Sequence, residues 1–162
     1  MKGTGKIKKY EVALFLKAAA ASDYVRIKKA TDLKLSFNAK TETYDYIADE
    51  NPTTELEQYK PEITGLPLTM YRDEPDFAML WDFAYNLKTG GNSTADILLV
   101  YKFDEEAEAT GKFKAWHCGA TVIVKTLDAV AGKLEFDLQM RGTVERGTVS
   151  DTNGKLVFEK AV

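Results

Sequence analysis

The stretch Leu134-Glu135-Phe136-Asp137-Leu138-Gln139-Met140-Arg141 alternates apolar and polar side chains without a break. A repeat of two is the repeat of a β-strand, whose side chains leave on opposite faces. One face of this segment therefore seeks a core, and the polar face, with Glu135 and Asp137, is expected to meet solvent. The same alternation appears near the start, where Tyr10, Val12, Leu14 and Leu16 interleave with Glu11, Ala13, Phe15 and Lys17. It returns in Leu33, Leu35 and Phe37 against Lys34, Ser36 and Asn38. Ile97-Leu98-Leu99-Val100-Tyr101 is unbroken and apolar, short enough for a strand buried on both faces. Residues 112–124, with Phe113, Trp116 and Val122-Ile123-Val124, read as a further strand. Two more, over 143–149 and 155–159, flank Asn153-Gly154, the dipeptide that supplies both positive φ angles of a tight hairpin turn. About eight strands result. The expected fold is mainly β, a sandwich or barrel with one flanking helix.

Two segments depart from this plain pattern. Residues 33–71 read as one long extended hairpin: a β-favouring run through Thr41, Thr43, Tyr44, Tyr46 and Ile47, a polar tip at Asp49-Glu50-Asn51-Pro52-Thr53, and a return strand from Glu55 to Met70. Pro61 and Pro67 cannot donate to a β-ladder, so the return strand is at an edge or is interrupted by bulges. The single helix is expected over 73–87. Asp73 can cap it, Pro75 suits the first turn, and Glu74 and Asp76 complement the N-terminal dipole. Phe77, Leu80, Trp81, Ala84 and Leu87 then share one face, expected to pack on a sheet, and Gly90-Gly91 closes the helix.

The totals suit one soluble domain spanning residues 1–162: 44% apolar, 29% charged, net charge −3. The start has the order of a secretory signal, basic and then apolar, with a basic arm over about 1–9. Its apolar run, Val12 to Leu16, falls short of the roughly 7–15 residues such a signal needs. No stretch approaches the ~20 apolar residues of a membrane-spanning helix.

Signatures of catalysis are missing. No glycine-rich phosphate loop, nucleophile elbow or metal-ligand spacing occurs. His117 and Cys118 are the only histidine and the only cysteine, and two adjacent ligand types do not make a metal site. The chain is expected to be no enzyme and to need no cofactor or metal. Its charge is unevenly placed instead. Residues 1–40 hold ten Lys or Arg against three acidic residues, a net of +7. Residues 41–62 hold seven acidic residues against Lys60, a net of −6. These are either solvated faces of opposite sign or the two ends of a subunit that stacks head to tail, since heterologous contacts that do not close give filaments.

Three runs carry a resemblance. They are Tyr46-Ile47-Ala48-Asp49-Glu50-Asn51, then residues 54–63 from Thr54 through Pro61 to Ile63, then Leu66-Pro67-Leu68-Thr69-Met70-Tyr71. Together they are similar to the long hairpin of major tail tube proteins of long-tailed, siphophage-type bacteriophages and prophages. Glu74-Pro75-Asp76-Phe77 opening a helix, the strand at 97–101, Ala115-Trp116 and the segment 135–142 extend the resemblance over nearly the whole chain. It implies a β-sandwich whose copies form hexameric rings that stack into a tube. It also implies a tape-measure protein inside the tube during assembly, tail-tip and tail-terminator proteins at its ends, and DNA passing without specific binding. The place is then the virion tail, assembled in the cytoplasm of the bacterial host, with no membrane involved. On this expectation Glu42, Glu57, Glu62, Glu135 and Asp137 face the lumen, where carboxylates repel phosphate, and Asp49, Glu50, Asn51, Pro52 and Thr53 touch the next ring. A tube of a headless, tail-like bacteriocin or injection particle fits the same residues. A monomeric sandwich that binds a ligand is the reading of another class.

Overall fold

The computed structural model describes residues 3–162. The segment 134–141 lies in the longest strand of a mainly β fold. In chain order the strands are β1 (Val12–Ala18), β2 (Val25–Arg26), β3 (Leu35–Ser36), β4 (Ala39–Tyr44), β5 (Thr53–Tyr59) and β6 (Glu62–Thr69). The helix α1 (Pro75–Tyr85) follows, then β7 (Thr94–Glu105), β8 (Phe113–Asp128), β9 (Lys133–Thr152) and β10 (Lys155–Lys160). Eight strands form one antiparallel sheet in the order β2-β1-β7-β8-β9-β6-β3, with β10 also on β9. The strands β4 and β5 pair only with each other among the described residues. The path from β2 to β3 does not close, so of the two expected forms the closed barrel is not the one adopted.

The sheet bends because β8 and β9 are long enough to serve two wings. One end of β8 pairs with β7, and its other end lies beside the start of β9, which pairs in turn with β6. Between the wings the β8–β9 register jumps. His117 faces Glu145 while Gly119 faces Arg141, so three residues of β9, Gly142, Thr143 and Val144, stand opposite Cys118 alone, a surplus of two. Bulges of this kind turn a strand, and the positive φ of Gly142 (66°) is the conformation that glycine supplies without strain. The inner faces then meet. Leu14, Leu16, Ile97 and Leu99 of one wing pack in a single cluster with Ile63, Leu66, Leu68, Leu134, Phe136 and Leu138 of the other. The alternation that defined 134–141 is obeyed on its apolar side, since Leu134, Phe136 and Leu138 are fully buried.

At the outer edge, Asn153 and Gly154 both have positive φ, as a two-residue hairpin turn requires. Further along this hairpin, Gly147 leaves room for the neighbouring strand. A Cβ there would lie 2.1 Å from the Glu159 carbonyl oxygen and 2.8 Å from the Phe158 ring. Of the basic arm expected over 1–9, Met1 and Lys2 lie outside the described residues, and 3–9 is exposed.

The helix is shorter than expected and faces differently. Glu74, not Asp73, stands at its cap position and makes no side-chain cap. Asp76 turns inward and is fully buried. Its Oδ2 accepts from the backbone N–H groups of Lys28 (3.0 Å) and Lys29 (3.3 Å). That anchor orients the helix, and Leu80 and Phe83, four and seven residues on, follow Asp76 into the core. Trp81 is left 40% exposed and stacks between Phe77 and Tyr85 along the outside. The helix stops at Tyr85, with Asn86 as its C-cap, and the chain turns away at Leu87, where φ is +47°. There Leu87 N–H donates to the Ala84 carbonyl and Lys88 N–H to the Phe83 carbonyl. This is a Schellman stop built on a leucine, three residues before the expected glycines.

Candidate assembly surface

The β4–β5 ribbon is the part of the chain with least reason to exist inside a lone molecule. Of its two strands only Tyr44 is even partly shielded. Its departure from the body is built at two residues. Asn38, at φ +47°, turns the chain between β3 and β4, and its Nδ2 donates to the Lys60 carbonyl (3.1 Å). Asparagine is among the few residues that reach this region readily. Opposite it, Pro61 has no N–H, and the ladder stops between Ala39–Tyr59 and Ser36–Glu62. Pro61 thus marks an interruption, one of the two alternatives its sequence allowed. An aromatic chain holds the root: Tyr59 to Phe37 at 6.2 Å, Phe37 to Trp116 at 5.9 Å, and Trp116 to Tyr101 at 5.7 Å, all edge-on.

The ribbon has two unlike faces. On one, Thr43 and Thr54 meet through their hydroxyls at 3.1 Å. On the other, Glu42 sits directly across from Glu55, and Glu57 pairs with Lys40 at 3.0 Å. Like charges opposite one another weaken an antiparallel pair. Their presence on a ribbon with no core to bury is a cost that folding alone does not explain. At the tip, Asp49, Glu50, Asn51 and Pro52 form the exposed loop, and Thr53 opens β5. Ile47 is wholly exposed (108%), beside Tyr46, whose ring stacks on Tyr44 at 5.7 Å.

The other three carboxylates singled out in the sequence lie apart from the ribbon, on the outer side of β6 and β9. Glu62, Glu135 and Asp137 gather around Lys125 of β8. The lysine's pKa is raised, first by its hydrogen bond to Asp137, then by the charges of Asp137, Glu135 and Glu62. Asp137 corrects the expectation of a solvent-facing carboxylate. It is 3% exposed, with Oδ2 at 2.7 Å from Lys125 Nζ and Oδ1 accepting from Gly65 N–H at 2.7 Å. The reason is the bulge in β6 between Ile63 and Leu66. Gly65, at φ +61°, turns its amide out of the ladder, and Asp137 satisfies it. Glu62 and Glu135 remain partly exposed. The five carboxylates therefore form two groups, Glu42 and Glu57 on the ribbon and Glu62, Glu135 and Asp137 on the body.

His117 and Cys118 point to opposite faces of β8. Cys118 is buried in the core. Its thiol is pushed up to about 11, by burial first and then by Asp96, so it stays protonated at neutral pH and is a poor nucleophile. His117 packs on Phe158, ring to ring at 5.1 Å. Among the described residues no group of three or more His, Cys, Asp or Glu could hold a metal ion, and no helix is long and apolar enough to cross a membrane.

No family model matches the chain, and no curated protein matches it. A chain in the six-fold symmetrised cryo-EM structure of the anti-feeding prophage baseplate is similar over 90% of this chain and 97% of its own length. The TM-score is 0.47 and the identity 11%, a likeness too distant to bear on function.

Proposed function

We propose that this chain is a structural subunit of a bacteriophage tail tube. Six copies join through their sheet edges into a ring, rings stack into a hollow rod, and DNA passes through the lumen. The observation that carries this is the β4–β5 ribbon, exposed along its length, acidic on one face and ending in an apolar side chain held in water. A ribbon of two strands is marginal alone, and the adjacent exposed Tyr46 and Ile47 at the end of a projecting arm suit a contact with another molecule. Open edges support the same reading. β2 pairs with only Phe15 and Leu16 of β1, β3 with only Glu62 and Ile63 of β6, and β10 forms a further edge beside β9. Exposed edges are a liability in a monomer and a joint in a closed ring. The sequence resemblance centred on 46–71 falls on the ribbon, its root and β6.

In this reading Glu42, Glu57, Glu62 and Glu135 give the lumen carboxylates that repel phosphate, while Asp137 holds the β6 bulge in shape behind them. Tape-measure, tail-tip and tail-terminator proteins are the expected partners, and the virion tail the expected place, with assembly in the host cytoplasm. Electron microscopy of the purified protein tests the proposal. Rings or hollow rods are expected, and a species that stays monomeric at high concentration would remove its basis.

A further inference from the structure

The outer face of the wing β2-β1-β7-β8-β9-β10 is a single layer with its own small apolar cluster. Ala13, Leu98, Val100, Ala115 and Val149 are buried there under the half-buried rings and chains of Phe15, Tyr24, Phe113 and Leu156. These four open onto a groove of about 1020 Å³ that runs from β1 and β2 across to the turn before β10. Its rim is cationic. Arg26, Lys28, Lys102 and Lys155 line it and make no ion pair among the described residues, while Lys17 is held by Asp96 at 3.8 Å. Asp23 and Asp151 are the acidic residues of the lining. An apolar floor with free cations around it calls for an extended segment with an apolar centre and acidic flanks.

The ribbon tip of this same chain has that form. Ile47 and Tyr46 are its exposed apolar centre. Asp45, Asp49 and Glu50 flank them, and none of the three makes an ion pair among the described residues. We infer that the groove receives the β4–β5 tip of a second copy, with Ile47 on the Phe15–Leu156 floor and the flanking carboxylates against Arg26, Lys28, Lys102 and Lys155. The contact is heterologous, using one surface of each copy. Each contact leaves a free groove on one copy and a free tip on the other, so it repeats from copy to copy, as an open stack where the rotation between copies does not close a ring. This rests on the self-assembly proposed above and names the surface that the ribbon meets. Unlike charges at the rim set register and speed encounter, and the apolar centre supplies the lasting part of the contact.

The test is charge reversal with rescue. Association of the wild-type chain is followed by sedimentation, beside a groove variant (Lys102→Glu with Lys155→Glu), a tip variant (Asp45→Lys with Glu50→Lys) and the combined variant. All four changes are at exposed positions, and urea unfolding checks that each variant is folded. The groove and tip variants are each expected to need about ten-fold higher concentration to associate, and the combined variant to return toward wild type. A second arm uses the Cys118→Ala background. Chains carrying Ile47→Cys and chains carrying Leu156→Cys are mixed and oxidised, and a disulfide-linked pair containing one of each is expected. If wild type associates and groove reversal has no effect, the groove is not the receiving surface, although self-assembly stands. If reversal weakens association without rescue in the combined variant, and no mixed disulfide forms, the groove takes some other acidic segment and the inference is overturned. If wild type never associates, the self-assembly reading itself has failed.

Discussion

Asp137 offers a sharp separation between a carboxylate that holds the fold and one that lines a surface. Replacing it with alanine removes the acceptor of a 2.7 Å hydrogen bond from Gly65 N–H and one end of a 2.7 Å ion pair with Lys125. The amide sits in a bulge where no ladder partner takes over. Gly65 is exposed and the bond part-buried, so what is lost is a hydrogen bond to a charged acceptor, about 1–3 kcal/mol. Lys125 is half exposed and regains water, so its share is small. Asp137→Ala should therefore lose about 1–3 kcal/mol. Asp137→Asn keeps an acceptor for Gly65 and loses only the charge, so its cost should fall well below that of Asp137→Ala. Glu135→Ala, on the same strand but making no hydrogen bond or ion pair among the described residues, should be close to neutral. Urea unfolding followed by tryptophan fluorescence measures all three, with equal m values showing that the midpoints report stability. If Asp137→Ala falls within about 0.5 kcal/mol of wild type, the amide is satisfied in another way and the account of the bulge is wrong.

Leu87 closes the helix with a φ of +47° and 82% exposure, so its side chain gains little there. Leu87→Gly should stabilise the protein by a few tenths to about 1 kcal/mol, a gain visible as a higher urea midpoint, whereas a loss would mean the leucine makes a contact that matters. The alkaline limb of stability should depend on Cys118. Its folded pKa lies near 11 against an ordinary value of 9.0, so between these values the unfolded chain gives up a proton that the folded chain keeps. Stability from this group is complete below pH 9 and falls as pH rises toward 11. Tyr24 and Tyr101, also raised by burial, extend the fall. Cys118→Ala should flatten the first part of that limb in pH-dependent unfolding, and an unchanged slope would assign the whole effect to the tyrosines.

Strand content could be read from the sequence because period two is a local signal. It worked best on the apolar side of the alternation, where Leu134, Phe136 and Leu138 are all buried. The Asn153-Gly154 turn was legible for the same reason, since its chemistry is contained in two residues. What could not be read was set by partners distant in sequence. The orientation of α1 follows from Asp76 meeting the amides of Lys28 and Lys29, nearly fifty residues away, and no helical periodicity carries that information. The burial of Asp137 follows from a bulge seventy residues earlier, for which Gly65 beside Pro67 was the available hint. The ribbon's separation from the sheet was half legible. Pro61 announced a break, but Asn38 as its opposite number became visible only with the register. The outer groove left no sequence signal, because its cations come from β2, the loop after it, β7 and β10.

The central claim is that this chain assembles through its own surfaces into a hollow tube. The most direct measurement is electron microscopy of the purified protein over a concentration series at low and high salt. The account predicts rings or rods with a central lumen. It also predicts fewer and shorter rods at high salt, because the acidic ribbon meets a cationic groove across a Debye length of about 8 Å at physiological ionic strength, and less above it. A uniformly monomeric particle at every concentration and salt would contradict it.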